Sequence, residues 1–115
     1  MVYNISSRWT VLFGDKRAEK EINRLADDLK ADFLHIVDMI ERYGLEQIHP
    51  PYVKRLRGKL WGMRMRGQDG IARAAYITAQ GKRVIVLHAF VKKTQKTPQE
   101  AIELALKRAK ELGYL

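Results

Sequence analysis

The stretch LWGMRMRGQDGIARAAYITAQGKRVIVLHAFVKKTQKTP, residues 60–98, decides the fold. At its start Trp61, Met63 and Met65 share one parity and Arg64 and Arg66 the other, the two-residue alternation of a strand with one apolar and one cationic face. That parity assigns the Trp61 ring to core packing rather than to stacking on a base. Gly67-Gln68-Asp69-Gly70 reads as a turn and Ile71–Thr78 as the returning strand of a hairpin. After a second turn, Ala79–Arg83, the run Val84–Val91 is apolar on both parities, which is expected of a central strand covered on both faces. Thr97 and Glu100 then bracket Pro98 at capping-box spacing. They open a last helix with the apolar face Ile102, Ala105, Ala109 and Leu112, and Gly113 closes it.

Upstream, Trp9–Phe13 has the aromatic and β-branched content of a strand and is closed by Gly14. Asp15 is a natural N-cap for a helix running to Lys30, with Ala18, Ile22, Leu25, Ala26 and Leu29 on one face. From Ala31 to Tyr43 the spacing of Phe33, Ile36, Val37 and Ile40 predicts a further helical stretch ending at Gly44. With no Pro or Gly between them, the two form a tight helical hairpin or one bent helix. Pro50-Pro51 forbids helix and predicts an extended entry into the basic segment. The expected order is β-α-α-β-β-β-α, an α+β fold. Two N-terminal helices and a short C-terminal one cover an antiparallel sheet, in a single domain over residues 1–115.

A chain of 115 residues, 46% hydrophobic and 30% charged, suits one globular core. The absence of cysteine excludes disulfides and thiolate metal sites. His35, His49 and His88 are too scattered for a ligand motif, so no metal or cofactor is expected. The N-terminus lacks the basic, apolar and small-residue succession of a signal peptide. The Val84–Val91 run is far short of the ~20 residues a membrane helix needs. A cytoplasmic protein without a membrane partner is expected.

The net charge is +9, and all of the excess is confined. Residues 1–49 carry 7 Lys/Arg against 9 Asp/Glu, residues 50–97 carry 12 against 1, and residues 98–115 carry 3 against 3. A region of one sign attracts a polyanion by counterion release and by a focused field. Arg64 and Arg73 fall on adjacent strands of the hairpin, and Lys92, Lys93 and Lys96 follow the central strand, beside the N-terminus of the last helix. These groups suit one phosphate. Asp69 is the sole acid of the segment, so no carboxylate pair is available. Ser6 and Ser7 lack a nucleophile elbow, and the turn glycines do not form a Walker loop. Chemistry run on cations fits phosphodiester cleavage in RNA, where the 2′-hydroxyl is the nucleophile and a lysine crowded by other cations acts as base. The competing structural readings are ion pairs of Arg64 and Arg73 with Asp27, Asp28 or Asp32, and a hydrogen-bonded core role for His88.

The ordered series KRLRGKLWGMR (residues 54–64), Arg73 and VLHAFVKKTQKTP (residues 86–98) closely resembles the phage-derived branch of the RelE/HigB toxin superfamily, over nearly the whole chain. The resemblance implies a RelE-like fold and a type II toxin: a metal-independent, ribosome-dependent mRNA endoribonuclease held in check by an antitoxin, usually a helix-turn-helix protein. It places Arg64, Arg73, Lys92 and Lys93 at the catalytic cations. Lys54, Arg57 and Lys59, with Arg66 and Lys96, become RNA or ribosome contacts. The family often has Glu where Gly62 stands, and its tyrosine after the basic cluster has no counterpart, since Tyr114 lies far along the last helix. A non-catalytic nucleic-acid-binding protein of the same fold, or a toxin with another target such as gyrase, is the alternative.

Overall fold

The computed structural model describes residues 7–93 and 96–115; Ser6 and, between Lys93 and Lys96, Thr94 and Gln95 lie outside the described residues. Strand β1 (Thr10–Phe13) leads into α1 (Lys16–Asn23), where the Asp15 carboxylate accepts the Arg17 N–H at 2.9 Å as the N-cap. Helix α2 (Asp27–Tyr43) follows after a break at residues 24–26, earlier than the expected boundary after Lys30. Asp27 and Asp28 explain the difference: two acids are better accommodated in the first turn of a helix than within one. Gly44 ends α2 as expected, its N–H bonded to the Ile40 carbonyl.

Pro50-Pro51 does not run extended but sits in a turn, where the Tyr52 N–H bonds to the His49 carbonyl at 3.0 Å. The turn feeds an additional strand, β2 (Val53–Arg57), which the sequence reading missed. After it come β3 (Leu60–Gly67), β4 (Gly70–Ala79), β5 (Arg83–Lys92) and α3 (Gln99–Glu111). The sheet order is β1-β5-β4-β3-β2, with β1 parallel to β5 and every other pairing antiparallel. The α+β class therefore holds, with β4 rather than β5 in the middle.

One face of the sheet, with Met63, Met65, Ala72, Ala74, Tyr76, Val84 and Val86, packs on Ile22, Leu29, Phe33, Ile36 and Ile40 of α1 and α2. On the other, Leu60, Ala75, Ile77, Ile85 and Leu87 meet Ile102, Ala105 and Ala109 of α3. Strand β5 is thus apolar on both sides, as its sequence predicts. The capping box is absent: Pro98 is the extended N-cap, no side chain caps α3, and the Thr97 hydroxyl oxygen is buried without a partner. The Pro98 carbonyl instead receives the Ala101 and Ile102 N–H groups. Among the described residues no helix is long and apolar enough to cross a membrane.

Candidate functional site

Helix α3 covers only the part of its face near Ala75, Ile77 and Leu87. Beyond it, strand register aligns Arg64 with Arg73 and Arg73 with Phe90, while Arg66 pairs with Ile71 and Ile71 with Lys92. Directly paired residues on neighbouring strands share a face, so Arg64, Arg73 and Lys92 gather on the uncovered part of the sheet. There a cavity of about 870 Å³ is lined by Pro50, Pro51, Val53, Lys54, Arg55, Trp61, Arg64, Gly70, Ile71, Arg73, Lys92 and Lys93. Among the described residues its wall has six Lys or Arg and no carboxylate.

Arg73 is the most constrained of the cations. It is 4% exposed, and its Nε and Nη1 are buried with no hydrogen-bond partner. Burial pushes its guanidinium below the ordinary arginine value, and the charge of Arg64 adds to the effect. Gly62 makes the placement possible, because a Cβ there would stand 2.8 Å from Arg73 Cδ and 2.9 Å from its Cγ. The aliphatic stem of Arg73 lies across the bare backbone of Gly62. Burial likewise lowers the Lys92 ammonium, with Arg73, Lys54 and Arg64 contributing in that order.

The structure brings together Arg64, Arg73, Lys92, Lys93 and Lys54 of the expected site. The other expected contacts are dispersed. Lys59 lines a second cavity of about 660 Å³, Arg66 lines a third with Asp28 and Asp32, and Arg57 and Lys96 line none of these three. Among the described residues, none from the first turn of α3 lines the cationic cavity, contrary to expectation. Arg55, Pro50 and Pro51 were missed. The first sits in the basic run 54–57, where neighbouring charges gave no reason to prefer it, and the prolines read only as a helix stop.

The acids of α2 do not neutralise Arg73. Asp32 accepts the backbone N–H of Arg66 at 2.7 Å and Asp28 that of Gln68 at 2.6 Å, pinning the end of β3 to the helix. His88 does have a hydrogen-bonded structural role: Nδ1 lies 2.9 Å from Glu21 Oε1, and the ring stacks on Phe90 at 5.1 Å. A second network was unforeseen. Arg108 of α3 donates from Nη1 and Nη2 to the two Glu21 oxygens at 2.8 and 3.0 Å, and from Nη1 to the Leu87 carbonyl at 2.9 Å. Its signal was positional, since Arg108 falls between Ala105 and Ala109 on the apolar face of α3.

Residues 20–110 match the family model described as phage derived protein Gp49-like (DUF891). No curated protein sequence matches the chain. Among solved structures, the archaeal RelE–RelB complex from Pyrococcus horikoshii OT3 contains a chain similar to this one, with TM-score 0.55 and 21% identity over 75% of this chain and 97% of that one. The toxin–antitoxin complex RelBE2 from Mycobacterium tuberculosis contains another, with TM-score 0.47 and 20% identity over 76% and 94%.

Proposed function

The chain belongs to the phage-derived Gp49-like family and has a RelE-like fold, and from that premise we propose that it is the toxin of a toxin–antitoxin pair, an endoribonuclease that cleaves mRNA on the ribosome in the cytoplasm. The observation that carries the reading is Arg73: its buried Nε and Nη1 have no acceptor among the described residues, on the wall of a cavity whose described lining holds five further cations. Burying an unpaired charge is costly, and a phosphate in the cavity supplies the missing acceptor.

In this mechanism Arg64 and Arg73 bind the non-bridging oxygens of the scissile phosphate. They stabilise the charge that grows there as the 2′-oxygen attacks phosphorus. Lys92 lines the cavity with Arg73, its ammonium is disfavoured by burial and by three cationic neighbours, and to it we assign removal of the 2′-hydroxyl proton. The P–O5′ bond breaks, the 5′-oxygen gains a proton from Lys93 or a ribosomal group, and the products are a 2′,3′-cyclic phosphate and a 5′-hydroxyl. The nucleophile belongs to the substrate, so the reaction as written runs without metal or cofactor. Lys54 and Arg55 hold the flanking backbone, and Arg57, Lys59, Arg66 and Lys96 contact RNA or ribosome outside the cavity. The inhibitor is a cognate antitoxin, a helix-turn-helix protein by the habit of the superfamily.

Purified protein added to translating ribosomes is expected to cut mRNA to those termini. Lys92→Arg keeps the charge but not the accessible proton exchange, and is expected to bind ribosomes normally while cutting about a hundredfold more slowly. Intact mRNA on ribosomes that bind the protein would sink the assignment. A loss of affinity alone in Arg73→Met would favour the non-catalytic alternative.

A further inference from the structure

The cationic cavity shares a wall with the second one: Val53, Arg55 and Trp61 line both. The second cavity has a different chemistry. Trp9, Tyr76 and Tyr114 join Trp61 around it, with Leu45 and Ile48. Trp61 has the parity of Met63 and Met65, and sequence alone assigns it to the core with them. The methionines are fully buried, whereas Trp61 is 38% exposed. It stands at the last β3–β4 pair, opposite Tyr76, where β3 begins and β4 continues without it. Trp9 is fixed nearby, its Nε1 donating to Glu46 Oε1 at 2.8 Å.

We propose that this aromatic cavity receives a nucleobase of the same RNA whose phosphate occupies the cationic cavity, with Trp61 as the stacking platform. The inference rests on the phosphate reading above and adds the substrate class: an unpaired strand. Single-stranded RNA alternates a charged phosphate with a flat ring, and the two adjoining cavities repeat that alternation across the shared wall of Arg55 and Trp61. About 660 Å³ is ample for a base. Stacking on an aromatic ring tolerates any base, whereas a duplex keeps its bases stacked on one another and presents one only at the cost of unpairing and unstacking it.

Both tryptophans of the chain line this cavity and only Trp61 also lines the cationic one, so intrinsic fluorescence compared between RNA and polyphosphate reports its occupation. The test titrates the full chain at low salt with four probes: a short 2′-O-methyl single-stranded RNA that cannot be cleaved, an abasic oligomer of equal length, inorganic polyphosphate, and an acidic peptide. Quenching is expected with the RNA alone. Trp61→Ala is expected to weaken RNA binding about tenfold while leaving polyphosphate affinity in place. Should that variant fail to fold, Trp61→Leu keeps the apolar bulk without the flat ring and carries the same comparison.

RNA and abasic oligomer binding equally, in wild type and variant alike, overturns the base site and leaves the phosphate site standing. Quenching by RNA that depends on Trp61, with no affinity for polyphosphate or the abasic oligomer, supports the base site and removes the phosphate site. An acidic peptide that quenches as strongly as RNA assigns the cavity to a protein partner and overturns the proposal, as does failure of every probe to bind.

Discussion

Two arginines, Arg73 and Arg108, are buried to nearly the same degree, 4% and 7% exposed, and are treated in opposite ways. Arg108 crosses from α3 to clasp the Glu21 carboxylate with two nitrogens and to bond the Leu87 carbonyl, leaving only its Nε without a partner. The same Glu21 holds His88 and the Ala89 N–H. Strand β1 pairs with β5 only as far as Val86, and this network occupies the part of the β5 edge just beyond. The protein satisfies the charge it needs for folding with an acid from another helix. Arg73, on the middle strand, has no acid partner among the described residues, and Asp28 and Asp32 of α2 bond to backbone at the end of β3 instead. Equal burial therefore says little about role; the placement of carboxylates separates a structural arginine from a binding one.

The comparison breaks most sharply at Arg73. Arg73→Met is expected to lower mRNA cleavage by about 10²–10³-fold, the loss typical of one charge-stabilising donor. Its urea midpoint should stay level or rise, because the variant no longer buries an unpaired guanidinium. An Arg73→Met variant that is both inactive and strongly destabilised would mean that Arg73 has a structural acceptor after all. Arg108→Met should do the reverse. Removing one partner of a buried pair leaves Glu21 with His88 and the Ala89 N–H and costs about 3 kcal/mol, toward the lower end of the usual range because that carboxylate also retains some contact with water. Single-turnover cleavage by the fraction still folded should match wild type.

This asymmetry also marks what could be read from the sequence. The β3–β4 hairpin, β5 and the last helix were legible because their parities and turns are strongly patterned, and the convergence of Arg64, Arg73 and Lys92 followed from strand pairing, with Lys93 next in the chain. Strand β2 was not legible: KRLR offers almost no apolar alternation, and its pairing depends on β3 being present. The break at residues 24–26 was hidden because Leu25 and Leu29 continue the apolar spacing on both sides of it. Burial of Arg108 was masked by Lys107 and Lys110, which give that turn the look of a solvated face. Nor did composition show that Arg73 lacks a partner, since Asp27, Asp28 and Asp32 were all plausible acceptors.

Gly62 sharpens the comparison next. The family often has Glu at this position, but in this chain any Cβ meets the stem of Arg73 at 2.8–2.9 Å, and Leu56 Cδ1 lies 3.1 Å away on another side. Gly62→Ala is expected to cost about 1–3 kcal/mol by overpacking. Displacing the guanidinium should also lower cleavage roughly ten- to a hundredfold. In an Arg73→Met background the same substitution should cost no further activity, since the group it displaces is gone. Additive losses in the double variant would show that Gly62 serves the site by some other route.

The smallest effect separates the arginines by pH. Burial alone would raise the Glu21 carboxyl, but the bonds from Arg108 and His88 outweigh it and hold the group below the ordinary glutamate value of 4.5. A depressed carboxylate contributes stability that is fully present above its unfolded value and is lost as pH falls through its folded one. Urea midpoints measured from pH 6 down to 3 should therefore fall more steeply in wild type than in Glu21→Gln, with the two curves converging at the acid end. Arg73→Met should keep the wild-type slope, because no carboxylate is tied to Arg73. A flattened acid limb in that variant would reveal an acidic partner for Arg73 and remove the distinction between the two buried arginines.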